Sequence, residues 1–423
     1  MVAPRMKLGA FACAALAACG GGSAKLPPAV EAVPVASACA RSPSTPALAR
    51  RVSRSPFVGP TRPTAEWIHR LRSHAFGFSV DAEATAFVSI QSGIVAVGRD
   101  GSVQWTHAAA PEPLASPTIG PDGAVYVELL SDLFDPINLY RVGRGGVQRL
   151  DACGQTVWMA HAPPQNGSTP KVSADGTVYF AGHDRVFERP EEIVALGGDG
   201  TIAWSRMVSK GDTVTGGFDV GADGSIYYGT ANGFVTALDR NGTVRWSTPF
   251  AHQIIHSVTV GDDGREYAML AGSLVVLDSE GRELWSRTLL PNGALPPPVI
   301  AEDGTVYVGG RGLTSIGPDG LQRWHTELDG FVASPVLSQT GTLFVGVADM
   351  SGQELGSVYA VAPDGGILWR YRLEPAFDIA LAQDRVLYVA AGNRLYAIGE
   401  CTGDLCEDDG SSLPSDTLLA GSR

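Results

Sequence analysis

Tryptophan recurs along this chain at an interval that few folds accommodate. Trp105, Trp158, Trp204, Trp246, Trp285, Trp324 and Trp369 are separated by 53, 46, 42, 39, 39 and 45 residues. Each closes a stretch of one kind, such as GRDGSVQW, GGDGTIAW, DRNGTVRW or APDGGILW. Asp-Gly and Asn-Gly supply the positive φ that a tight hairpin turn demands at little cost. Between successive tryptophans runs a second hairpin, seen in PDGAVYV (121–127), ADGTVYFAG (174–182), ADGSIYYG (222–229), DDGREYAM (262–269), EDGTVYVGG (302–310) and QTGTLFVG (339–346). Apolar alternation flanks both turns, so each repeat holds two hairpins and hence four strands. A four-stranded unit at this period is the mark of a β-propeller blade.

The inner hairpin occurs eight times once 78–90 (FSVDAEATAFVSI) and 379–392 (IALAQDRVLYVAAG) are included. The last unit opens a third strand with NRLYAIGE and then runs into CTGDLCEDD, which has neither the apolar residues nor the Trp of a fourth. At the other end, Pro63-Thr64-Ala65-Glu66-Trp67 is a strand without a hairpin partner. Trp67 stands ten residues before Gly77, the offset that separates Trp324 from Ser334, so it behaves as the eighth repeat tryptophan. The expected fold is all-β: an eight-bladed propeller with four-stranded antiparallel blades over 63–400, closed by the N-terminal strand so that no edge is left free. The 52 glycines, 28 prolines and 18% charged residues suit many short strands joined by tight turns. The alternative is a seven-bladed ring frayed at both ends.

A Trp at one fixed place in every blade is a packing residue, its ring covering the gap to the next blade and its indole N–H meeting a carbonyl. Chemistry belongs instead at the central channel, where the loops entering the inner strands form one face. Counting seven residues back from each inner turn gives a ring of Gly77, Ser116, Thr169, Gly217, Ser257, Pro297, Ser334 and Asp378. Seven are small and uncharged, as crowding at the axis requires; Asp378 is the ionisable exception, able to hold a cation or a ligand's donor group, or simply to be solvated. The loops leading there add His161, His252, His256, Asp329 and Glu374 as candidate binding residues. His252 and His256 are four apart but outside any helical pattern, so the usual metal-pair geometry does not apply. Longer excursions at 129–138, 182–192 and 348–356 depart from the repeat minimum and should project on the same face. No phosphate loop, GxSxG elbow or paired zinc motif occurs, and no catalytic residue or metal site is assigned.

The termini carry an address. MVAPRMK is cationic, and the apolar run 8–18 is too short to span a bilayer but has the form of a signal peptide. It ends in Leu16-Ala17-Ala18-Cys19, which resembles the lipobox of bacterial lipoproteins and implies a signal over 1–19 with lipid on Cys19. An ordinary secretory signal is the alternative. Residues 20–62 are rich in Ala, Pro and Ser and read as a disordered tether, and 401–423 as an acidic polar tail. Residues 1–75 hold ten Lys or Arg against two Asp or Glu, the remainder twenty-one against forty-two. So acidic a domain excludes nucleic acid as a partner. Cys401 and Cys406 bracket a short loop and are the expected disulfide, with Cys39 and Cys153 unassigned and other pairings open.

The order Ala237, Asp239, Gly242, Trp246 in ALDRNGTVRW resembles the repeat of the PQQ-like, or quinoprotein alcohol dehydrogenase-like, propellers. The resemblance covers roughly 63–400, with a turn one residue shorter than the AxDxxTGxxxW form of the dehydrogenases. Enzymes of that family hold pyrroloquinoline quinone (PQQ) against an adjacent Cys-Cys disulfide and beside a calcium set of Glu, Asn and Asp. This chain has no Cys-Cys pair and no recognisable calcium set. In size, blade number and N-terminal lipid it is more similar to the propeller lipoproteins of the outer-membrane β-barrel assembly complex, which are non-enzymatic scaffolds. The resulting expectation is a lipid-anchored binding or scaffold propeller at the bacterial cell envelope, outer-membrane-attached and facing the periplasm or the surface. It would be a monomeric domain without a cofactor, binding an envelope protein or a small ligand. The alternatives are a PQQ- or metal-dependent oxidoreductase and a carbohydrate-binding or carbohydrate-active propeller.

Overall fold

The computed structural model describes residues 54–402, apart from 110–112, 114, 130–132, 136–139, 143–144, 163–168, 183–190, 210–211, 251–252, 291–295 and 349–355. The expected signal, Cys19, most of the tether and the tail with Cys406 therefore lie outside the described residues.

The strands assemble into eight four-stranded antiparallel blades, and blades 1 to 7 run inner, second, third and outer strand in chain order. Blade 1 is typical: Ala75–Val80, Ala86–Ile90, Gly93–Val97 and Val103–Ala108. Second and third strands are buried along their length because blades cover them on both faces, whereas outer strands alternate exposed and half-buried. Blade 8 takes its first three strands from Ala376–Leu381, Leu387–Ala391 and Arg394–Glu400 and its outer strand from Pro63–Arg70. The pairing runs from Pro63 opposite Glu400 to Arg70 opposite Arg394, joining the two ends of the ring. A further two-stranded hairpin, Leu133–Asp135 with Tyr140–Val142, follows the second strand of blade 2 and overlaps the expected 129–138 excursion. The other two excursions lie almost wholly outside the described residues.

Eight apolar clusters fill the eight seams between blades. The outer end of every seam is clasped in one way. Each tryptophan donates its indole N–H across the seam to a carbonyl, Trp67 to Arg99 and Trp204 to Arg240 for instance, at 2.8–3.1 Å throughout. The indole also lies flat against the turn glycine of the next blade. Gly242, at φ +79°, must be glycine on both counts: a Cβ there would press within 2.7 Å of the Trp204 ring.

Blade 8 has no continuous outer turn for Trp369 to reach, and the carbonyl of Pro60 stands in for it. This follows from the course of residues 54–62, which sequence alone assigned to the tether. Here they cross the ring: Ser55 N–H donates to Leu337 O, Gln339 N–H to Phe57 O, and Phe57 packs into the seam of blades 7 and 8. Arg54 ends the crossing, with its guanidinium 2.6 Å from Asp262 and 3.5 Å from Glu302 on the inner turns of blades 5 and 6. At the other end Glu400 accepts from Thr61 N–H, Thr61 O–H and Arg62 N–H; burial raises its pKa, but these bonds outweigh burial and the net shift is downward. The chain thus joins the fold before Pro63, because apolar Phe57 has a seam to enter and Arg54 has two carboxylates to pair.

Candidate functional site

In an antiparallel blade the inner and third strands begin, and the second and outer strands end, at one face of the ring. This is the face the candidate residues were placed on, and its inner rim is built in two ways. In blades 2, 3, 6 and 7 the residue after the expected ring position is proline: Pro117, Pro170, Pro298 and Pro335. Proline has no N–H to give to a ladder and is tolerated here only because the inner strand is an edge. Those strands shrink to two-residue pieces, Thr118–Ile119, Lys171–Val172 and Val299–Ile300, and in blade 7 the strand splits into Phe331–Val332 and Val336–Leu337.

Blades 1, 4, 5 and 8 carry Phe78, Phe218, Val258 and Ile379 at that place, and their inner strands run on for six or seven residues. All four break register at the ring: between Ala75 and Gly77, Thr215 and Phe218, Ile255 and Ser257, and Ala376 and Asp378. A bulge bends the strand and re-aims the side chains beside it. Phe76 and His256 are bulged residues, the first 39% exposed and the second half-buried. Asp378 follows the bulge of blade 8, half-buried and opposite Ala390.

Side chains stitch neighbouring inner strands together below the rim. Ser79 donates to Pro117 O, Thr118 to Pro170 O and Thr215 to Ile255 O, each to the next blade. Asp219 accepts from Val260 N–H at 3.0 Å and stands 3.8 Å from the Lys171 ammonium, tying blades 3, 4 and 5. Gly77 meets Ser116 so closely that a Cβ would overlap its hydroxyl, which explains why this part of the ring is small. Above Gly217 of blade 4, by contrast, a Cβ would meet nothing within 4 Å.

The six expected binding residues do not form one constellation. His252 lies outside the described residues, and of His161 only the backbone is described, on an outer strand opposite Gly146. Asp329 accepts from Arg370 at 2.5 Å and from Tyr359 O–H at 3.3 Å, while the Arg370 guanidinium lies 5.2 Å from the Tyr359 ring. Glu374 accepts from Arg394 at 2.7 Å. Both carboxylates sit on linkers between blades and bind an arginine of the following blade, so they brace the linkers. Asp378 and His256 remain on the rim, in blades 8 and 5. Among the described residues no three His, Cys, Asp or Glu side chains gather as a metal set.

Sequence reasoning passed over Arg370 and Arg394, the cations that engage these carboxylates. It also passed over the apolar residues of this face, Phe76, Met207, Phe234 and Ile254, exposed by 39–63%. Their signal was available, since each lies at or beside the end of a strand where turn polarity is the rule. Cys153 and Cys401 are each disulfide-bonded.

With this geometry in hand, comparison with known proteins gives a consistent picture. A family model described as outer membrane protein assembly factor BamB matches residues 189–289 and 270–356, from blade 3 into blade 7. The crystal structure of BamB from Moraxella catarrhalis matches at 19% identity with a TM-score of 0.60, covering 80% of this chain and 99% of that one. The computationally designed Ika8 protein matches at 13% identity with a TM-score of 0.58, covering 78% and 98%. No curated protein matches the sequence. At such identities the structural likeness speaks for the fold. The chain is an eight-bladed propeller of PQQ-like repeats, similar to BamB in its family match over 189–356 and in the architecture of its whole ring.

Proposed function

We propose that this protein is a lipid-anchored scaffold of the bacterial envelope that holds a protein partner on the face around its inner rim. The carrying observation is the make-up of that face. Its linker carboxylates are paired with arginines, while Phe76, Met207, Phe234 and Ile254 stand exposed on the same face. Fixed linkers beside exposed apolar side chains suit protein recognition, where apolar anchors carry the energy and a polar rim sets orientation. A reaction centre would instead need carboxylates free to exchange protons. The similarity to an outer membrane assembly factor supports the envelope setting, and lipid on Cys19 would attach the ring through residues 20–53. No quinone and no metal are expected.

The test is crosslinking in envelope membranes, comparing wild type with a Phe76→Asp, Phe234→Asp, Ile254→Asp variant. Loss of one discrete crosslinked protein in the variant, with unfolding unchanged, supports the proposal. An unchanged crosslinking pattern overturns it. Native mass spectrometry after incubation with PQQ and Ca²⁺ guards the alternative: a stoichiometric quinone complex would replace the scaffold by an oxidoreductase. Cys19→Ala should abolish the acylated mass of the intact protein, and retention of that mass would refute the anchor.

A further inference from the structure

One position in blade 5 breaks the pattern of the core. The residue that opens the second strand is Ala86, Val125, Val178, Ile226, Val306, Leu343 and Leu387 in the other seven blades, and each is completely buried against the preceding blade. In blade 5 it is Glu266, also 0% exposed. Ala268 and Leu270, on the same side of its strand, pack against Tyr227 and Ala237 of blade 4, so the carboxyl enters that seam. Neither of its oxygens has a hydrogen-bond partner. The charged and titratable groups that act on it are Arg245 and Tyr227 from blade 4, and Asp263 and Asp278 from its own blade. Arg245 is occupied elsewhere, at 3.1 Å from Ser225 Oγ, 3.4 Å from Tyr227 O–H and 3.8 Å from Asp223.

We propose that the seam between blades 4 and 5 is a proton-controlled joint in an otherwise static ring. With Glu266 neutral, its side chain fills the place of a valine and the seam closes like the other seven. Ionised, it is drawn towards water or the Arg245 guanidinium, and reaching either requires the two blades to part locally, since an unpaired buried charge is costly. Burial, first of the causes, pushes the Glu266 carboxyl up to about 8, with Arg245 opposing and the two aspartates adding to it. The joint is therefore closed below the ordinary carboxylate range and opens more readily as pH rises, levelling off above about 8. It lies opposite the seam between blades 8 and 1, beside the blade that the N-terminal strand completes, which leaves blades 1 to 4 and 5 to 8 as the two halves it would separate.

Hydrogen exchange of the whole chain, corrected for intrinsic rates, tests this. Protection of Ile226–Thr230, Phe234–Leu238 and Glu266–Leu270 should fall by up to about tenfold per pH unit between pH 5.5 and 7.5. Val178–Gly182, which lines the seams on either side of blade 3, should stay constant. Glu266→Val, which restores the repeat residue, and Glu266→Gln should both abolish the dependence. Infrared difference spectra add a direct readout: one protonated-carboxyl band at neutral pH, lost on alkalinisation and missing from Glu266→Gln. The proposal fails if protection at this seam is independent of pH, if both variants retain the wild-type dependence, or if the band persists in Glu266→Gln.

Discussion

Blades 2, 3, 6 and 7 share their outer halves with blades 1, 4, 5 and 8 and differ from them at the axis. At the periphery all eight seams end in the same indole clasp, whichever kind of blade supplies it. At the axis a proline cuts the inner strand short in the first group, and a bulge carries it up to the mouth in the second. The bulged blades are neighbours in two pairs, 8 with 1 and 4 with 5, on opposite sides of the channel. Repetition on the outside and division on the inside separate the two tasks of the ring: the clasp maintains architecture, and the bulged pairs bring Phe76, His256 and Asp378 to the face where recognition is proposed. The buried carboxyl of Glu266 falls in the seam between the members of one such pair.

The largest effect should come from removing a clasp. Trp158→Ala, at a residue only 3% exposed, should cost about 3–5 kcal/mol in urea unfolding. Trp246→Ala in a bulged blade should also destabilise, though less because its indole N–H is exposed. If one of them leaves stability unchanged, the outer halves of the two kinds of blade are not equivalent. Glu266→Val comes next. The folded pKa is raised to about 8 from 4.5, so the native state binds the proton more tightly and stability declines as pH rises between those values. The variant should gain nothing at pH 4.5 and up to about 4 kcal/mol at pH 8, read from urea midpoints across that range. An equal gain at both pH values would show a packing effect rather than a charge.

Exchanging the two designs is the third test. Val258→Pro would impose on blade 5 the residue that blades 2, 3, 6 and 7 carry, but it removes the N–H from a continuous strand and should cost about 3 kcal/mol. Pro335→Ala in blade 7 returns an N–H to a strand already split, and its effect should stay within about 1 kcal/mol. Equal costs would mean that proline and bulge are incidental. Smallest of all is Asp329→Asn. Its carboxylate is 69% exposed, so the lost pair with Arg370 should cost about 0.2–1 kcal/mol, less at high salt.

Much of the ring was legible because its signals are local. The Gly-containing turns before seven of the tryptophans, Asp-Gly or Asn-Gly in most, set a hairpin through their own φ preferences, and apolar runs such as VYF or IYY set a strand, whatever surrounds them. The mouth was legible only as a list of positions. Asp329 and Glu374 were read as available for binding because their partners, Arg370 and Arg394, are 41 and 20 residues away in the chain. Nothing in a linker's sequence reveals which arginine of the following blade will reach it. The bulges were equally hidden, since a bulge is a mismatch of two strands and belongs to neither alone. Phe57 illustrates the same point: surrounded by Pro, Ser and Gly it reads as linker, and it becomes core only where blades 7 and 8 leave a place for it.

The sequence by itself determined the number of blades, their four-strand plan and the strand that closes the ring, because turn chemistry and apolar period act within a few residues and are repeated eight times. It also held an irregularity of the core, a Glu at a strand position where the other seven blades have an aliphatic residue. Only the tertiary structure decided what that Glu faces, which carboxylates are paired and which inner strands bulge. Those properties depend on contacts between blades, and a contact between blades is made by residues that the chain keeps far apart.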